Sequence, residues 1–158
     1  MKILGKGGLS GLFEQAVVVL MVLGSLVLIG LPMLLTVFYR DYAASFLEVY
    51  GNKTRLPITI LLYLTGLLAM GILWFSRNIL HSINNEKPFT YANVKNIRLI
   101  GAFCAAITLC YAVFIPILFS VSVILMFMAF FMVTVVVIIC AELFAQAVHF
   151  KEENEFTV

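Results

Sequence analysis

The side chains that could do chemistry are few, and two of them are carboxylates in apolar surroundings. Glu14 and Glu142 each lie within or at the edge of a long apolar stretch. A lone charge inside a bilayer costs roughly 2.5 kcal/mol or more, so each carboxylate requires a cationic partner or water. Arg77 and Arg98 are the arginines expected at the same depth. We expect at least one Glu–Arg pair, acting either as a structural ion pair that fixes helix register or as a proton- or ligand-sensing site.

The histidines and cysteines do not form a recognisable metal, haem or redox pattern. His81 and His149 are isolated from each other in sequence, whereas metal and haem sites need convergent ligands. Cys104, Cys110 and Cys140 all lie in apolar runs without a C-x-x-C spacing, which is typical of small buried side chains. We therefore predict no cofactor and no metal.

Proteolysis within the membrane is also disfavoured. The only aspartate is Asp41, and no serine lies in a recognisable pattern with a histidine. Aspartate pairs and Ser–His pairs are what such chemistry requires. The sequence predicts that the protein is not an enzyme.

The elements that carry these residues are transmembrane helices. Of 158 residues, 63% are hydrophobic and 11% charged, against about half and a quarter in soluble domains. A bilayer core requires about 20 apolar residues as helix, and lipid leaves no partner for free backbone groups. Helices are predicted at about 13–39, 56–83, 90–119 and 121–150, with an external loop at 40–55, a cytoplasmic turn at 84–89 and a tail at 151–158. Only Pro116 and nearby serines separate the last two helices.

The basic residues predict the orientation of these helices. Seven of the ten lie on one side and three on the other, and the basic side faces the cytoplasm. The fold class is therefore all-α: an antiparallel four-helix transmembrane bundle in the cell membrane, with both termini cytoplasmic. Small residues spaced by four, such as Ala141 and Ala145, permit close contact within the bundle or between two copies.

The loops are the most distinctive parts of the chain. The external loop carries Tyr42, Phe46 and Tyr50, which fit a short helix lying at the interface. The cytoplasmic turn holds Pro88, and Thr90 is a suitable N-cap for the following helix.

Two segments of the cytoplasmic side carry a resemblance to a known family. The turn reads N-E-K-P-F-T at 85–90, followed by N-V-K-N-I-R at 93–98, and the tail reads K-E-E-N-E-F-T-V at 151–158. Together they resemble the bacterial membrane family called domain of unknown function 2975, whose members are similar in length and have four predicted helices. The resemblance implies no established enzymatic activity.

The resemblance also implies a partner, because genes of this family often lie beside one for a very small helix-turn-helix regulator of the Cro/CI type. We therefore expect a membrane regulatory or signalling protein that tethers or sequesters such a regulator, without direct nucleic-acid binding. A basic turn beside an acidic tail would form the protein-binding surface. The residues expected there are Lys87, Phe89, Asn93, Arg98, Glu152, Glu153, Asn154, Phe156 and Thr157.

Three other interpretations remain open from the residues alone. The charged end could be a solvated surface whose basic residues serve only insertion. The protein could be a membrane immunity protein that blocks a toxic peptide through Tyr42, Phe46 and Tyr50. It could also be a small transporter or transporter subunit, which would require a water-accessible polar path to Glu14 or Glu142.

Overall fold

The computed structural model describes residues 9–41, 55–85 and 88–155, and these form four long helices. They are α1 (Leu9–Asp41), α2 (Arg55–Asn84), α3 (Tyr91–Leu118) and α4 (Val121–Glu155). Even the shortest, with 28 residues, exceeds the length needed to cross a bilayer, about 20 residues. The four predicted membrane helices are confirmed, and the chain is a multi-pass membrane protein.

The turn between α2 and α3 is defined by a polar cap. The Asn93 backbone N–H, in the first turn of α3, donates both to the Thr90 side-chain oxygen and to the Thr90 carbonyl. Thr90 adopts an extended backbone conformation, so the helix begins at Tyr91.

The turn between α3 and α4 is much tighter. Phe119 has a φ of 40° and a ψ of 46°, the left-handed conformation in which helices commonly end. Its N–H donates to the Ile115 carbonyl, and the Ser120 carbonyl then accepts from the first turn of α4. Pro116 lies inside α3, two residues before its end. The left-handed conformation of Phe119 then reverses the direction of the chain.

The helices pack in chain order as an open row. Among the described residues, α1 contacts α2, α2 contacts α3 and α3 contacts α4, whereas no Cα atoms of other helix pairs approach within 8 Å. Glu14 meets His81 in α2, and a Cβ on Gly66 would meet Leu28, so α1 and α2 run antiparallel. The outer helices α1 and α4 therefore have one packed face each.

The packed face of each outer helix is a heptad seam. Most of the residues that are not exposed form a series with alternating spacings of four and three, the period of left-handed helix pairs. In α1 they are Ser10, Glu14, Val17, Met21, Gly24, Leu28, Leu31 and Leu35. In α4 they are Val123, Phe127, Phe130, Thr134, Val137, Ala141, Phe144 and Val148.

The two ends of the row differ in chemistry. We call the end where α1 and α3 begin and α2 and α4 finish the polar end. At the opposite end Leu61, Leu118 and Val123 form an apolar core. Between the ends, the buried hydroxyls of Thr65, Thr108 and Thr134 bond carbonyls of their own helices.

Helix α4 extends past its predicted end at residue 150. It continues to Glu155, so the acidic segment through that residue is helical and not a free tail. Glutamate and lysine are good helix formers, and contacts with α3 described below hold this segment in place. The predicted interfacial helix of the external loop lies outside the described residues.

Candidate functional site

Glu14 lies at the centre of a polar cluster between α1 and α2 at the polar end. Its Oε1 is 3.1 Å from Nδ1 of His81, and its Oε2 accepts a hydrogen bond from the Asn84 amide. Its side chain is only 22% exposed, whereas that of His81 is 66% exposed. Both carboxylate oxygens are engaged by α2, so the cluster ties the polar ends of the two helices together.

Two oxygens in this cluster lack a hydrogen-bond partner. Among the described side chains, the buried atoms without one are Ser10 Oγ and Asn84 Oδ1. Because the Asn84 amide nitrogen donates to Glu14, its carbonyl oxygen must point elsewhere. Ser10 lies one turn before Glu14 on the same seam, which puts it level with Asn84 in the antiparallel pair. The cluster thus contains two buried oxygens without a partner, one an amide acceptor and the other a hydroxyl that can both donate and accept.

An open groove of about 520 Å³ runs along this cluster. Glu14, Gln15 and Asn84 line its polar portion, and Val18 and Val19 line an apolar portion that lies a helical turn deeper. The groove is therefore amphipathic along its length.

A second polar group fastens the α2–α3 hairpin. The Asn93 side chain is 1% exposed and donates from Nδ2 to Ser82 Oγ at 3.0 Å and to the Pro88 carbonyl at 2.7 Å. It joins the end of α2, the turn and the start of α3. Asn93, predicted to bind a partner, is buried in the structure, and its amide nitrogen satisfies the Pro88 carbonyl of the turn.

The α2–α3 hairpin is also packed against the end of α4. The rings of Phe89 and Phe144 stack with centroids 5.4 Å apart. The Tyr91 hydroxyl lies close to the Glu152 carboxylate. On α4 itself, His149 Nδ1 lies 3.4 Å from Glu153 Oε1. These contacts bring aromatic and acidic side chains from distant parts of the chain onto one surface.

Arg98 and Glu142 form the Glu–Arg pair between α3 and α4. Arg98 Nη2 lies 3.3 Å from Glu142 Oε2, and both side chains are more than half exposed. Arg77 contributes only longer-range charge near Glu14. The partners of Glu14 are His81 and Asn84 because they lie one turn closer to the end of α2, level with the start of α1.

The remaining predicted site residues divide into two groups. Phe89, Arg98, Glu152 and Glu153 are exposed on the described surface of the polar end. Lys87, Phe156 and Thr157 lie outside the described residues, as does the side chain of Asn154.

Sequence reasoning missed Ser10, His81 and Asn84 as members of the cluster. Asn84 lies in the predicted turn, and His81 belongs to no metal or haem pattern, so neither stands out from the sequence. The available signal was spacing, since His81 and Asn84 share a helix face and Ser10 and Glu14 share another. Within the described part of the chain, no three His, Cys, Asp or Glu side chains lie close enough to hold a metal ion.

Comparison with known proteins identifies the family but no characterised relative. The model of the family described as "Protein of unknown function (DUF2975)" matches residues 40–158, which include α2, α3 and α4. No curated protein matches the chain, and no solved structure does. The match covers more than half of the chain and agrees with the motifs of the turn and tail, so the protein belongs to the DUF2975 family.

Proposed function

We propose that the protein is a non-enzymatic membrane regulatory protein that tethers a small helix-turn-helix DNA-binding protein. In this proposal the protein lies in the cell membrane with both termini in the cytoplasm, so the polar end faces the partner. The excess of basic residues at that end supports the orientation.

The observation that carries the proposal is the packing of α4 on the α2–α3 hairpin. We define the docking surface as Phe89, Tyr91, Glu152 and Glu153. Phe89 and Tyr91 are exposed, although each also contacts α4. A surface held by contacts among three helices is preorganised, so a partner would not have to order it on binding.

The chemistry of the docking surface suits a DNA-binding protein whose DNA-contacting surface is basic. Helix-turn-helix proteins carry Lys and Arg side chains that contact DNA phosphates. The carboxylates of Glu152 and Glu153 offer negative charge in place of phosphate, and the neighbouring rings offer the apolar anchor typical of binding hot spots. A helix-turn-helix protein bound to the docking surface could not bind DNA at the same time. The membrane tether would therefore also regulate the activity of its partner.

The test is recovery of the partner from membranes of the native host. The baits are the full-length protein, E152Q/E153Q and F89A. Glutamine keeps the helix propensity and removes only the charge. F131A is the matched control, because Phe131 is 46% exposed against 45% for Phe89 but lies on the apolar part of α4.

We expect the full-length and F131A baits to recover a helix-turn-helix protein. The E152Q/E153Q bait should fail to recover it. Added double-stranded DNA should release it from the full-length bait. Equal recovery by all baits would show that the docking surface does not bind the partner. Recovery by none would reject the tether and favour the alternative in which the external loop blocks a toxic peptide.

A further inference from the structure

We propose that His149 makes the docking surface sensitive to pH, so that a basic partner binds near neutral pH and is released when the surrounding solution becomes acidic. This inference rests on the proposed function, because it concerns the regulation of the same surface. The observation that carries it is an exposed histidine beside one of the two carboxylates that would receive the cations of the partner.

His149 lies one helical turn before Glu153 on α4. Its Nδ1 is 3.4 Å from Glu153 Oε1, and the two side chains are 65% and 60% exposed. Glu152 lies beside Glu153 in the chain, with its carboxylate close to the Tyr91 hydroxyl at the start of α3. The imidazole therefore borders the acidic part of the docking surface and exchanges protons freely with water.

The charges around His149 come from two helices, because α3 is the only described helix that packs against α4. Among the described side chains, the charged and titratable ones at this end of the pair are Glu142, Lys151, Glu152 and Glu153 on α4 and Tyr91, Lys95 and Arg98 on α3. Glutamate, lysine, tyrosine and arginine ordinarily keep one protonation state between about pH 6 and about pH 8. Histidine is the side chain whose charge changes in that range, so His149 sets the pH response of this surface.

Protonation of His149 opposes a basic partner in two ways. The imidazolium adds a positive charge where Lys or Arg side chains of the partner would dock, and like charges repel. It also makes a charge-assisted contact with Glu153, which is stronger than the contact of a neutral imidazole and competes with the partner for the same carboxylate. Both effects have the same sign, so the affinity for a basic partner falls as the pH falls.

The test uses a basic probe of known charge, so it does not require the natural partner. The full chain is reconstituted in phosphatidylcholine nanodiscs, whose lipid carries no net charge. Fluorescence anisotropy measures the binding of labelled hexaarginine at low ionic strength, where exposed charges are least screened. Wild type should bind about threefold more tightly at about pH 8 than at about pH 6, within the range of one exposed ion pair.

Three variants assign this effect to one histidine. H149Q cannot take up a proton and should bind equally at both pH values. H149K carries its charge throughout this range and should bind at about pH 8 as weakly as wild type does at about pH 6. H81Q is the matched control, because His81 is 66% exposed and also lies beside a glutamate, but at the α1–α2 interface. It should keep the pH dependence of wild type.

Binding of hexaarginine to wild type that does not change with pH, or a pH dependence that persists in H149Q, would overturn the proposal. Absence of any binding would do the same. Recovery of the natural partner is a separate measurement. A helix-turn-helix protein recovered equally at both pH values would keep the tether and reject the role of His149. Peptide binding that depends on pH through His149, with no protein recovered by any bait, would support the role of His149 and reject the tether.

Discussion

The interfaces α1–α2 and α3–α4 follow the same packing rule but treat their carboxylates differently. Each joins an outer helix to the row through a heptad seam, and each places one glutamate at the polar end. Glu142 is 64% exposed and paired with an exposed arginine. Glu14 is 22% exposed, is held by His81 and Asn84, and lies in the same cluster as two buried oxygens without a hydrogen-bond partner.

The same heptad geometry therefore supports an exposed ion pair at α3–α4 and, at α1–α2, a polar cluster with unpartnered buried oxygens. Exposed pairs contribute about 0–1 kcal/mol, so Glu142 has little structural weight. Among the described side chains, the buried oxygens without a hydrogen-bond partner both lie at the α1–α2 interface, on Ser10 and Asn84.

The largest expected effect is on stability when the two carboxylates are neutralised. In pure phosphatidylcholine bilayers, E14Q should lower the free energy of unfolding by about 1–3 kcal/mol, because the buried Asn84 amide loses a charged acceptor. E142Q should change it by about 0–1 kcal/mol. Steric-trap or denaturant unfolding of the reconstituted protein measures both. Equal losses would mean that the two interfaces are equivalent.

Two helical glycines compare how closely the helices approach at the α1–α2 and α3–α4 interfaces. A Cβ on Gly66 would lie 2.6 Å from Leu28 Cδ2 across α1–α2, whereas a Cβ on Gly101 would meet Ile138 and Val137 at 3.5 Å across α3–α4. Replacing a helical glycine by alanine gains up to about 1 kcal/mol where there is room. The free energy of unfolding of G101A should therefore exceed that of G66A by about 1 kcal/mol, because only the new methyl group at position 66 must displace a neighbouring side chain.

G30A is the control for propensity alone, because nothing lies within 4 Å of a Cβ at Gly30. Its unfolding free energy should resemble that of G101A. A G66A variant as stable as both controls would show that α1 and α2 are not in close contact there.

The smallest expected effect concerns a hydroxyl contact across α3–α4. Thr108 Oγ1 lies 3.2 Å from Thr134 Oγ1, and each also lies within hydrogen-bonding distance of its own helix carbonyl. Two hydroxyl protons cannot satisfy three contacts at once. T108V should therefore cost only about 0.6 kcal/mol, and adding T134V should cost little more. A strongly additive double mutant would contradict this sharing.

The sequence predicted the four helices because bilayer thickness and backbone hydrogen bonding leave little choice for long apolar segments. It did not predict which face of each helix packs. Lipid tails are as apolar as a protein core, so Val and Leu occupy both faces of α1 and α4. The remaining signal was the heptad recurrence of small and polar residues such as Gly24 and Ala141.

The candidate sites were predictable only to a limited extent. Glu14 and Arg98 stood out because a charge in an apolar run requires a partner. Asn93 belonged to a recognisable motif, but whether its side chain faces a partner or the turn depends on the Pro88 carbonyl, which spacing does not reveal. The unpaired oxygens of Ser10 and Asn84 depend on the register of two helices, which only the structure provides.

The most direct test of the difference between the interfaces is a solid-state NMR contact measurement in a single sample. The protein carries ¹³C-labelled glutamate and ¹⁵N-labelled asparagine; E14Q and E142Q assign the two carboxyl signals. We predict transfer from an asparagine side-chain nitrogen to the Glu14 carboxyl carbon, because Asn84 Nδ2 donates to Glu14 Oε2, and much weaker transfer to that of Glu142, whose partner is Arg98. Equal transfer to the two carboxyl groups, or none to Glu14, would contradict the difference between the two interfaces.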